Sequence, residues 1–236
     1  MKNWIENSES NVFLSSNERY LYNRKIEESD IFNKTLNRDG LILSQKREPV
    51  SKMKYGTKYT LSYNGCELIA VYNALNLMGY NHSLSRIIYE FEINKATAYN
   101  LSVLKTHPTA MKIIPYILFL ISKLNFNFKS GMFGTNPYAP KRFFDKHNYI
   151  YEFTDNINEF ETLRSDGGVY IMTCWNEKRA SSKIHTFALT ADKMGCVYSF
   201  NGYYDNYKYK SFDEILNKSE AGFICGFLLK GRKIDE

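Results

Sequence analysis

The stretch Tyr63-Asn64-Gly65-Cys66-Glu67-Leu68-Ile69-Ala70-Val71-Tyr72-Asn73-Ala74-Leu75 decides how the rest of the chain is read. Asn64-Gly65 is a turn signal. Leu68, Val71, Tyr72, Leu75 and Met78 then recur at helical spacing, and Gly79 is a stop. The pattern predicts a helix over 66–79 that opens on a thiol. The first turn of a helix carries unpaired N–H groups and the positive end of its dipole. A cysteine placed there is expected to be drawn toward thiolate, the nucleophilic form. Taken alone, Cys66 reads equally as a small buried apolar residue, so the functional reading depends on a partner base.

Of the four histidines, His82, His107 and His147 fall in loops or at a segment end and read as exposed or capping residues. His185 begins the β-rich run Ile184-His185-Thr186-Phe187-Ala188-Leu189-Thr190. Asp192-Lys193-Met194-Gly195 is a hairpin connection to a second run, Gly195–Gly202. Asn201 ends that run sixteen positions after His185, which predicts that the two lie near one end of a sheet. An amide there can accept the imidazole N–H and fix its tautomer. Asp205 is the second choice for that role.

A nucleophilic Cys at a helix start, a His opening a late strand and an amide ending the next strand together resemble the papain-like cysteine peptidases, most of all their bacterial C39-like branch. The residues that carry the resemblance are Asn64-Gly65-Cys66, Ile69-Ala70, Ala74-Leu75 and Gly79. The segment Gly131-Met132-Phe133-Gly134-Thr135-Asn136-Pro137 is similar to a Gly-Thr-x-Pro element of that family. The resemblance spans about residues 55–230. It implies a papain-like α+β fold, with a helical lobe packed on a C-terminal antiparallel sheet, and catalytic roles for Cys66, His185 and Asn201. Thr60 stands where the family places an oxyanion-holding Gln, and the chain's one Gln is Gln45, far upstream. Thr60, Tyr59, Ser62 and Asn64 are therefore the side-chain candidates for that role. Glu67 stands where the family has Gly. Its charge would oppose a thiolate, or its side chain would turn away and cap the helix. Gly65, Glu67, Trp175, Gly134 and Thr135 are the candidates for lining a substrate cleft. Trp175 reads equally as an anchor at a strand end.

Apolar residues make up 44% of the 236, enough for one core. Residues 1–50 carry eight basic and eight acidic side chains and read as an extension that wraps the domain or stays partly mobile, ahead of a domain over 51–236. Within it, Tyr20-Leu21-Tyr22 and Gly40–Leu43 read as short extended pieces. Further helices are expected at 84–92, 109–124, 138–147, 158–164 and 211–217. Strands are expected at 149–153, 168–175, 184–192, 196–201 and 222–230. The net charge of +6 is dispersed, with no basic patch for nucleic acid. The four cysteines show no metal or disulfide spacing, and Cys174, Cys196 and Cys225 lie in apolar runs. No cofactor and no metal are expected. The start of the chain shows no signal peptide, and the longest apolar run, 113–124, is too short to span a bilayer. A cytoplasmic enzyme from a bacterium with an Asn-, Lys- and Ile-rich composition is the expectation. Its substrate would be a peptide or protein, cleaved through a Cys66 thiolate with His185 as base. The alternatives are acyl transfer or deamidation on the same scaffold, or an inactive peptide-binding module.

Overall fold

The computed structural model describes residues 14–56, 59–93, 135, 137–176, 184–203 and 208–233. The expected helix over 109–124, His107, Gly134 and Asp205 lie outside them. The elements in chain order are α1 (Ser16–Glu27), α2 (Asp30–Asn33), β1 (Lys54–Tyr55), β2 (Tyr59–Thr60), α3 (Leu61–Asn64), α4 (Cys66–Leu77), α5 (Leu84–Ile93), α6 (Ala139–Lys146), β3 (Tyr149–Thr154), α7 (Ile157–Thr162), β4 (Val169–Trp175), β5 (Ile184–Ala191), β6 (Val197–Phe200), β7 (Lys208–Tyr209), α8 (Phe212–Lys218) and β8 (Gly222–Arg232). The order gives an α+β architecture, helices first and sheet last. β1 and β2 form a small hairpin. The other six strands form one antiparallel sheet in the order β3-β8-β4-β5-β6-β7.

Helix α4 is the centre of the molecule. Every residue from Cys66 to Leu75 is buried, which is why its sequence is apolar on nearly all sides rather than on one stripe. It ends as the sequence predicts. Gly79 sits at φ 79°, and the N–H groups of Gly79 and Tyr80 return to the carbonyls of Asn76 and Leu75 at 2.9 Å each. That is the Schellman arrangement, which favours glycine. Asn73, a polar residue inside this helix, is fully buried and satisfied. Its amide exchanges two hydrogen bonds with the backbone of Ile42, at 2.9 and 2.8 Å.

Strand alternation sends side chains to two cores. Ile171, Trp175, Ala188, Cys225 and Phe227 pack toward the α4 side. Tyr170, Met172, Cys174, Phe187 and Leu189 form a second cluster with Phe160 of α7 and Phe212 of α8. The Phe160 and Phe212 rings stack at 4.4 Å. The sheet is thus covered on both faces.

Residues 14–50 differ from the expectation at one of the two short pieces read as extended. Tyr20-Leu21-Tyr22 lies inside helix α1, opened by a capping box in which Ser15 and Glu18 bond each other's backbone. Phe32, Leu41, Ile42 and Val50 are buried in the core. Arg19 makes a buried ion pair with Glu92 of α5 at 2.8 Å. The amide of Asn23 exchanges hydrogen bonds with the Lys54 backbone at 2.8 and 2.7 Å. Among the described residues no helix is long and apolar enough to cross a membrane.

Candidate functional site

Two short helices meet end to end at Gly65. A Cβ there would stand 2.6 Å from the Leu61 carbonyl oxygen and 2.7 Å from the Leu61 Cα. Glycine is what allows α3 to run into α4 with a single residue between them, and this junction delivers Cys66 to the first position of α4. Cys66 is 7% exposed. The backbone N–H groups of Thr186, of Glu67 and of Cys66 itself are turned toward its sulfur. Thr186 follows His185 in β5, so the sulfur rests against the start of the strand that carries the histidine.

His185 is half-buried at the second position of β5. It shares strand parity with Phe187, and their ring centroids lie 5.5 Å apart. Tyr203 stands edge-on to the imidazole at 5.2 Å, and its hydroxyl donates to Asn176 Oδ1 at 3.1 Å. Burial raises the Tyr203 phenol, and the charges of Cys174 and then Cys66 raise it further. His185 Nε2 lies 2.7 Å from the backbone carbonyl oxygen of Asn201. A carbonyl only accepts, so Nε2 carries the proton in the neutral ring and Nδ1 is the basic nitrogen.

Asn201 therefore orients His185, but through its main chain. Its side chain is engaged elsewhere. Oδ1 accepts the Gln45 N–H at 2.8 Å, and Nδ2 donates to Gln45 Oε1 at 3.3 Å. Asn201 sits at φ 59°, a left-handed conformation that asparagine tolerates. Gln45, distant in sequence, is brought to the site, and its Nε2 donates to the Ser62 carbonyl at 3.1 Å. No local pattern marks Gln45, because its contact with Asn201 spans 156 positions.

Glu67 does not cap the helix. It is 1% exposed, and its Oε2 accepts the Thr186 hydroxyl at 2.6 Å. Thr186 in turn meets the Thr173 hydroxyl at 3.0 Å. Thr186 thus grips both residues of the helix start: its N–H faces the Cys66 sulfur, and its hydroxyl holds the Glu67 carboxyl. Glu67 Oε1 is buried without a hydrogen-bond partner among the described residues.

The electrostatics run against the expected thiolate. Burial, then the Glu67 charge, push the Cys66 thiol up to about 11, despite the three N–H groups that pull it down. Burial raises Glu67 to about 8, offset in part by the Thr186 hydrogen bond. Burial lowers His185 to about 4, against the Asn201 carbonyl, which raises it, and with Lys46, which lowers it further. At neutral pH Cys66 is a neutral thiol and His185 a neutral imidazole.

The remaining expectations divide. Thr60 stands at the start of α3 and makes no side-chain cap hydrogen bond. Asn64 is buried, 3% exposed, in the turn before Gly65. Tyr59 pairs with Tyr55 in the small hairpin. The proposed cleft lining is not open. Gly65, Glu67, Trp175 and Thr135 are all buried, with Trp175 in the α4-side core and the Thr135 hydroxyl bonded to Tyr55 at 2.9 Å. Side chains at the helix–sheet junction are needed to pack it. All four cysteines are free; Cys196 is half-buried and the others buried. Among the described residues no group of three His, Cys, Asp or Glu is placed to hold a metal. In comparison with known proteins, no family model, no curated protein and no solved structure matches this chain.

Proposed function

We propose that the protein is a cysteine hydrolase of papain-like type, acting on a peptide or amide bond. The observation that carries this reading is the junction of α4 with β5. Cys66 opens the buried helix with the Thr186 N–H toward its sulfur, and His185, the residue before Thr186 in β5, is held by the Asn201 carbonyl with Nε2 protonated. Nδ1 then takes the thiol proton as sulfur attacks the carbonyl carbon, and returns it to the leaving amine. Water, deprotonated by the same nitrogen, releases the acyl group. The Cys66 N–H and a polar group of the 59–64 turn hold the oxyanion. Acyl transfer or side-chain deamidation would use the same steps with a different acceptor or amide.

The neutral resting pair and the buried Glu67 carboxyl favour a second reading, a peptide-binding module that keeps this architecture without turnover. A peptide library incubated with the protein and read by mass spectrometry separates the two. The hydrolase reading expects cleavage products that disappear in both Cys66→Ala and His185→Ala. Products that persist in Cys66→Ala sink it, and retention of peptides without cleavage supports the module.

A further inference from the structure

We propose that Gln45 is a positioning residue that ties the cysteine turn to the carbonyl orienting His185. The inference rests on the Cys66–His185 reading for its catalytic consequence, while the geometry stands by itself. Every polar atom of the Gln45 side chain is used across this junction. Nε2 reaches the Ser62 carbonyl in α3, four residues before Cys66, at 3.1 Å. Oε1 accepts from Asn201 Nδ2 at 3.3 Å, and the Gln45 main-chain N–H reaches Asn201 Oδ1 at 2.8 Å. The Asn201 amide is thus held at both ends by one residue.

That grip has a purpose in the backbone. Asn201 lies in a left-handed conformation at the end of β6, 5% exposed, and this turn aims its carbonyl at His185 Nε2. β6 pairs with β5 only from Ala188↔Phe200 onward, so no ladder hydrogen bond fixes the Asn201 peptide against His185. The side-chain clamp supplies the missing constraint. A carbonyl that swings away leaves the ring free to take either tautomer, and only the Nε2–H form presents Nδ1 as base. The charged and titratable groups around the ring are Lys46, next to Gln45 in sequence, Tyr203 on the ring edge, and Cys174, the cross-strand partner of His185 in β4.

Gln45→Met keeps the length of the side chain and the main-chain N–H but removes both amide hydrogen bonds. Asn201→Gly keeps the left-handed backbone and the orienting carbonyl but removes the clamped amide. The experiment is a long-range proton–nitrogen NMR titration of His185 in the wild type, both single variants and the double variant. The expected result is a single Nε2–H tautomer titrating near 4 in the wild type, and mixed tautomers with the midpoint moved below the wild-type one in each single variant, because the Asn201 carbonyl is what raises it against burial. The double variant should go no further than the larger single change. In turnover assays kcat should fall about tenfold or more while KM holds within about twofold. An unchanged tautomer and midpoint in both Gln45→Met and Asn201→Gly overturns the proposal, because a space-filling role would leave them unmoved. Turnover that survives His185→Ala instead defeats the hydrolase reading, and the titration still decides the clamp.

Discussion

At Cys66 three backbone N–H groups and the helix N-terminus act in one direction, while burial and the Glu67 carboxyl act in the other. A helix start is legible from Asn64-Gly65-Cys66 and the apolar spacing that follows, but the lowered thiol pKa expected there is overturned, since the thiol is raised. What decides the sign is how deeply packing buries the sulfur and its neighbour, and neither depth is written locally. Charge on Glu67 appears above about pH 8, below the range where Cys66 titrates. Glu67→Gln removes that charge and leaves burial in place. The midpoint of Cys66 alkylation, followed by peptide mass spectrometry, should move down from about 11 and remain above the ordinary thiol value of about 8.5. A midpoint that does not move would show that the carboxyl is electrostatically silent. Glu67 also has a stability consequence. Its folded pKa lies above the unfolded value of about 4.3, so its contribution is fully present below pH 4 and is lost as pH rises through about 8.

At the scale of elements, periodicity and turn chemistry located what they should. Helix α4, the Gly79 stop, the β5–β6 hairpin through Asp192–Gly195 and the long strand β8 all lie within a few residues of their expected bounds. Helix α1 was missed, because Tyr20-Leu21-Tyr22 resembles a strand when read alone. Its marker was nonetheless present as Ser15-Ser16-Asn17-Glu18, the capping-box spacing. The Gly65 junction makes a sharper claim than either. Its backbone is ordinary, so the demand for glycine comes from the Leu61 backbone at 2.6–2.7 Å. Gly65→Ala should cost about 1–3 kcal/mol, as overpacked sites do, and lower turnover by about a hundredfold as Cys66 is displaced. Gly79→Ala, with open space around its Cβ but a φ of 79°, should cost about 1–2 kcal/mol and leave turnover unchanged. Thermal unfolding and kinetics on the two variants check the contrast. Equal loss of turnover in both would show that the junction plays no special part.

Over the whole molecule, residues 14–50 and the sheet close on α4 from different sides, and the contacts that do this are long in sequence. Asn73 holds Ile42, Gln45 holds Asn201, and Glu92 holds Arg19. Such contacts leave no short motif, which is why Gln45 reads as remote. A second buried hub lies away from the site. Burial would raise the Glu90 carboxyl, but hydrogen bonds from Lys146, His147 and Arg86 overcome it and hold it at about 2. Its stabilisation is therefore present above the unfolded value of about 4.3 and is lost as pH falls toward about 2. Glu90→Gln should destabilise by about 2–3 kcal/mol at pH 7, and the difference from wild type should shrink toward zero near pH 2 in urea unfolding. A difference independent of pH would mean that packing, not charge, is what Glu90 supplies. Under the proposed function, His185 draws a proton from the Cys66 thiol when a carbonyl arrives. The most direct test is the intact mass of the protein, quenched with acid within seconds of mixing with an activated peptide ester, with the modified residue mapped by fragmentation. The account predicts an acyl group on Cys66 ahead of the more exposed Cys196, formed at least about a hundredfold more slowly in His185→Ala. Acylation that avoids Cys66, or that proceeds at the same rate without His185, would contradict it.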